Sequence, residues 1–316
     1  MTRARRFRCR LAPRLSLTLL LAQPGIPGRG VAQTLPRTAS APTATPAASP
    51  AVEAIKAALQ KGDLDAAVAA GEKAAAESPK DALVELWLGR AYGRKAQAAS
   101  ILSQMSLAKK CRNAFQKAVD LDPANVDARF DLMEFHLEAP GIAGGDKDVA
   151  KRQAEEILKL DPVRGHVAWG AVWEEAKEPA RAEAEYRKAI EADPKQLLGR
   201  LALSGLLLSG KRANEAREIW QLFSKTDPDQ SYWHYALGRI SVVTGEDLAG
   251  GVAHFKAYLA VQPKPDTPTW ADAHWRLSNL YEKMGKKDDA KAELREALKL
   301  NPGHSNAKKD LKRLEG

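Results

Sequence analysis

The residues in this chain able to do chemistry are few and scattered. Six histidines occur, and His166, His234 and His274 stand at matching places in three similar segments. One zinc would need three ring nitrogens within about 2 Å of it, and matching places in successive segments lie too far apart for that. These three rings are therefore read as packing groups. No Gly-x-Ser-x-Gly turn occurs, Cys111 has no evident activating neighbour, and the carboxylates are spread along helical faces. Catalysis needs groups that converge in a closed pocket, so no catalytic residue, metal or cofactor is expected. The densest local feature is the stretch from Pro140 to Lys147, where Gly141, Gly144, Gly145 and Asp146 form a candidate ligand loop. Glycines open turns closed to other residues, and amides ahead of a helix can meet an anion. No Gly-Lys-Ser/Thr follows, and the alternative reading is a long interhelical loop with Asp146 capping the next helix.

The elements that must position these residues are visible in a recurrence. Pro79, Pro123, Pro162, Pro194, Pro228, Pro263 and Pro302 are each preceded, twelve residues back, by a small residue: Ala67, Cys111, Ala150, Ala182, Ala216, Gly251 and Ala290. Four residues after the small one an aromatic often follows (Phe115, Tyr186, Trp220, Phe255), and alanine comes three later at Ala74, Ala118, Ala189 and Ala297. Spacings of four and three lie on one stripe of a helix, where small groups let a neighbour approach. Upstream lies a second helical pattern, seen as Leu88-Gly89 with Tyr92, and as Trp169-Gly170 with Trp173. Asp or Asn before most of the closing prolines marks the corner between units, because proline disfavours helix in the residue ahead of it.

These columns resemble the tetratricopeptide repeat, a Trp-Leu-Gly-Tyr helix followed by an Ala-Phe-Ala helix and a closing proline. The last copy fits best, from Trp275 through Leu277, Tyr281, Ala290, Leu294 and Ala297 to Pro302, whereas the first has Gly71 in place of the aromatic. The resemblance implies an all-α fold, a right-handed α-solenoid of about seven helix-turn-helix repeats plus a C-terminal capping helix. Repeats are expected at about 51–79, 82–123, 126–162, 163–194, 197–228, 231–263 and 271–302, making a solenoid over 51–302, with the cap at 303–316. About ten extra residues in the second repeat predict longer helices there.

In that family the first helices line a concave groove whose inward residues choose the ligand. One such stripe here is Leu86, Phe130, Val167, Leu201, Tyr235 and Trp275, all apolar; a neighbouring one is Arg90, Glu134, Ala171, Gly205, Arg239 and Asn279. The resemblance thus implies a non-enzymatic scaffold that holds a peptide or protein partner by apolar anchors between isolated charges; the equal alternative for the apolar stripe is that it partly packs against the adjacent repeat. A small-ligand sensor or carrier using the glycine-rich loop is the alternative. The lysine, asparagine and arginine set that grips chaperone C-termini in some relatives is not assembled.

Charge bears on partners and compartment. The formal charge is +9, yet Arg3, Arg5, Arg6, Arg8, Arg10, Arg14, Arg29 and Arg37 all precede the first carboxylate, Glu53. The remainder is almost neutral, so nucleic acid, which needs massed Lys and Arg, is not an expected partner. The basic front leads into the apolar run from Leu15 to Ala22, too short to span a bilayer. Residues 1–32 read as a signal peptide cleaved after Ala32 or nearer Gly25, with an organellar transit peptide or a plain tail as alternatives. The Pro/Ala/Thr stretch 33–50 reads as a disordered linker, and no transmembrane span is expected in the mature chain. A periplasmic or secreted location follows from the leader, with an organelle as the alternative. Cleavage would remove Cys9 and leave Cys111 as the only thiol, a compact core group.

Overall fold

A computed structural model describes residues 49–229, 231–263 and 267–316. The expected signal peptide, and the expected linker up to residue 48, lie outside the described residues. All regular structure among the described residues is helical. They form two compact units, divided between Asp161 and Pro162.

The first unit contains α1 (Pro50–Lys61), α2 (Leu64–Glu77), α3 (Ala82–Ala98), α4 (Ile101–Leu121), α5 (Val126–Glu138), a 3-10 turn (Gly141–Ala143) and α6 (Lys147–Leu160). Helix begins at Pro50, inside the last residues assigned to the linker. Ser49 accepts from the Val52 amide and Pro50 occupies the first turn, where its missing N–H costs nothing. The extra residues of the second repeat lengthen both its helices, to 17 residues in α3 and 21 in α4.

The second unit contains α7 (Pro162–Glu175), α8 (Pro179–Ala192), α9 (Leu198–Ser209), α10 (Ala213–Thr226), α11 (Tyr232–Thr244), α12 (Leu248–Leu259), α13 (Trp270–Lys283), α14 (Lys287–Leu300) and α15 (Ser305–Glu315). Within each unit a helix packs on its neighbours in the chain, and first helices also meet, as α1 meets α3, α7 meets α9 and α11 meets α13. This is the stacking pattern of an α-solenoid.

The small and aromatic columns form the core. Ala67, Ala150, Ala182, Ala216 and Ala290 are fully buried, as are the rings of Tyr186, Trp220 and Phe255. Each such large side chain contributes roughly 1.5–3 kcal/mol on burial. Glycines on the first helices receive these rings: a β-carbon at Gly89, Gly170 or Gly238 would fall 2.5, 2.1 or 2.8 Å from Phe115, Tyr186 or Phe255. Cys111 is buried among them, and burial pushes its thiol pKa up, which leaves it a packing group.

At the corners, Asp122, Asp193 and Asn301 accept amides two residues on, from Ala124, Lys195 and Gly303. The last helix, α15, covers the end of the stack. Ala307 joins Leu294 and Ala297, with Leu311 and Leu314 packed against them. Arg313 pairs with Glu282, and buried His304 lies 3.4 Å from Asp272.

Candidate functional site

The apolar stripe expected to face a ligand is largely core. Leu86, Phe130, Val167, Leu201 and Tyr235 are buried, with at most 6% of their surface exposed. Stacked first helices approach closely enough to close over side chains at this place, so these residues offer no anchors at the surface. Trp275 is half-buried but committed to the cap, its indole donating to Asp310 at 2.8 Å. In the second stripe Gly205 is buried, while Arg90, Glu134, Ala171, Arg239 and Asn279 keep part of their surface open. The accessible part of the first helices is therefore more polar than the sequence reading expected.

In the first unit, Arg90 on α3 pairs with Asp131 on α5 at 2.5 Å. Its guanidinium stacks 4.6 Å from the Trp87 ring, and Lys56 of α1 lies 5.1 Å from the same ring. Burial alone would lower the Arg90 pKa, but Asp131, helped by Asp127 and Glu134, raises it. One cation thus ties neighbouring first helices together.

In the second unit, Arg239 of α11 lies near Tyr232, and Arg276 of α13 near Tyr235, close enough for each cation to act on the phenol. Burial pushes Tyr232 up to about 12, so the phenol stays protonated and neutral beneath the arginines. Arg276 also lies 4.1 Å from the Trp275 ring, and the Asn279 amide donates to the Trp275 carbonyl. Arg239, Arg276 and Asn279 therefore make a donor-rich edge on an aromatic floor, formed by two adjacent first helices. Such an edge can donate hydrogen bonds to the backbone carbonyls or carboxylates of an extended segment. Reading stripes at repeat spacing did not single out Arg276 or Tyr232. The aromatic cluster Tyr232, Trp233 and Tyr235 ahead of Arg239, and the Trp275-Arg276 pair, were the available signal.

The glycine-rich loop of the third repeat is built for turning. Gly144 has φ +93, and a β-carbon at Gly145 would meet the Ala139 carbonyl oxygen at 1.7 Å. Asp146 accepts from the Asp148 and Val149 amides at 2.9 and 3.2 Å, so its carboxylate caps α6, and that hydrogen bonding holds its pKa down. Lys147 donates to the Leu137 carbonyl, closing the loop on α5. Gly141 meets open space, beside the exposed Ile142. These contacts account for Gly144, Gly145 and Asp146 without a ligand.

The histidines do more than pack. His166 reaches Glu185 at 2.8 Å and His274 reaches Glu293 at 2.6 Å, each bridging the two helices of its hairpin. His234 occupies the same place in its own hairpin and meets His254, nitrogen to nitrogen, at 2.9 Å. Among the described residues no group of three or more His, Cys, Asp or Glu converges, and no helix is long and apolar enough to cross a membrane.

Comparison with known proteins agrees with this geometry. Residues 142–196, 175–240 and 271–304 match three family models, each described as tetratricopeptide repeat. The crystal structure of yeast Tom70 is similar with a TM-score of 0.58 at 14% identity, covering 82% of this chain and 53% of that one. A tetratricopeptide repeat protein from Parabacteroides merdae matches with a TM-score of 0.49 at 15% identity, over 84% of this chain and 98% of that one. At such identity the likeness to Tom70 is one of fold. No curated protein matches the chain.

Proposed function

Because the chain is a tetratricopeptide-repeat protein, and hence of a fold built to hold other proteins, we propose that it is a non-enzymatic scaffold docking a protein segment on its first helices. The observation that carries this reading is the donor edge of Arg239, Arg276 and Asn279 over Tyr232, Tyr235 and Trp275. The expected partner segment is extended and rich in carbonyls and carboxylates, since the apolar stripe is already used within the fold. Recognition then rests on charge-assisted hydrogen bonds, each worth roughly 1.5–3 kcal/mol. The basic and apolar leader supports a cell-envelope location for the scaffold, a point that mass spectrometry of the native N-terminus tests.

Cross-linking in envelope extract tests the docking surface. The parent should capture a stoichiometric partner, and Arg239→Glu with Asn279→Asp should lose it while keeping its circular dichroism. Lys188→Glu, exposed on α8, should still capture it. Equal capture by all three, or no partner for the parent, would remove this reading.

A further inference from the structure

Five hairpins place corresponding side chains opposite each other, one on the first helix and one nine residues before the closing proline. Arg129 donates to Gln153, His166 meets Glu185 and His274 meets Glu293. Arg200 faces a hairpin where that second place is Ile219, and it lies instead over Phe223 and donates to the Gln196 carbonyl. Only in the hairpin of α11 and α12 are both places imidazoles. There the acceptor that elsewhere satisfies the first helix is replaced by a second titratable donor-acceptor ring.

We propose that His234 and His254 form a two-imidazole site for a divalent first-row transition cation, with zinc and copper as the fitting class. Their Nδ1 atoms face each other at 2.9 Å and their ring centroids are 5.2 Å apart. At that distance one Nδ1–H donates to the other Nδ1; once the donating ring moves its proton to Nε2, both Nδ1 lone pairs face one point, where a cation takes the place of the proton. Two imidazoles on a tetrahedral ion, with metal–nitrogen bonds of about 2.0–2.1 Å, have a closely similar centroid separation. Turning each ring in its own plane opens the nitrogens to the about 3.3 Å such an ion needs without moving either helix.

Two further features favour the site. Trp233 stacks on the His234 ring at 3.5 Å and meets His254 edge-on at 6.0 Å. Stacking fixes the ring plane yet leaves in-plane rotation free. Asp247, capping α12 through the Gly250 amide, is the charged group that acts on His254 and adds attraction for a cation. Water completes the coordination, so the site is open and of modest affinity. The hairpins with Glu185 and Glu293 already pair their imidazoles with a carboxylate, and they serve as internal controls. This inference stands apart from the docking surface, and neither depends on the other.

The test titrates the full chain with Zn²⁺ against a chromophoric chelator, and with Cu²⁺ followed by electron paramagnetic resonance. The parent should bind one ion at this site with coupling to two nitrogens. His254→Glu, a pairing the chain itself uses twice, should fold normally and bind at least about tenfold more weakly, the loss that even an outer-shell partner causes. His234→Gln gives the same result should that variant fold poorly, and His166→Asn with His274→Asn should leave the two-nitrogen signal intact. Parental affinity in His254→Glu or His234→Gln, or coupling to a single nitrogen in the parent, would overturn the proposal.

Discussion

Gly170 on α7 lies so close to Tyr186 on α8 that a β-carbon there would sit 2.1 Å from the ring. The Tyr186 hydroxyl continues past it to donate to Glu174 at 2.7 Å, so the ring is anchored at both ends and cannot swing away. Gly170→Ala should therefore destabilise the protein by about 1–3 kcal/mol through overpacking, although alanine is the better helix former by about 1 kcal/mol. Urea unfolding of the variant measures the balance, and a more stable variant would show that the hairpin can open at no cost.

The Arg90–Asp131 pair should be asymmetric. Arg90 faces Asp131, Asp127 and Glu134 together, so Arg90→Met removes the cation that balances several carboxylates and should cost about 3 kcal/mol. Asp131→Asn keeps an acceptor for the guanidinium and should cost only about 1–2 kcal/mol. Chemical denaturation of both variants reads the order, and a reversed order would place the main worth of the pair in Asp131.

In the third-repeat loop, Gly144→Val should lower the melting temperature whether or not any ligand is present, because φ +93 is closed to a β-branched residue. Loss of function in that variant would say nothing about ligand contact. Gly141 meets open space and has an ordinary φ, so Gly141→Ala should melt within a degree or so of the parent. A large effect at Gly141 would mean that the loop packs against something it does not touch here.

Stability should fall on mild acidification through the α11–α12 hairpin. His234 is neutral in the fold down to about 4 and charges near its ordinary 6.5 when unfolded. The unfolded chain binds more protons between those values, so stability present above pH 6.5 is lost as the pH drops toward 4. The neighbouring His254 is lowered in the same direction, with Asp247 acting against it. His254→Glu supplies a carboxylate to hold the His234 proton and should flatten this slope. Thermal melts from pH 7.5 to 5 compare the two, and equal slopes would mean that the pair opens before it titrates.

The repeat unit was legible in the chain because it rests on local rules. Small and aromatic residues at spacings of four and three define one helical face, and proline with Asp or Asn ends a helix wherever it occurs. Ala182, Tyr186 and Ala189 could thus be assigned to a buried face without coordinates, and the long α3 and α4 follow from uninterrupted helix formers. Which first-helix residues remain open to a partner was decided only by the stacking of successive hairpins. Leu86, Val167 and Leu201 have the pattern of a ligand-facing stripe, yet neighbouring helices close over them, and burial depends on interhelical distances that spacing within one helix does not encode. The same holds for His234 and His254. Each ring belongs to a readable helix, but their meeting at 2.9 Å comes from the angle at which two helices pack, and that angle is a property of the assembled hairpin.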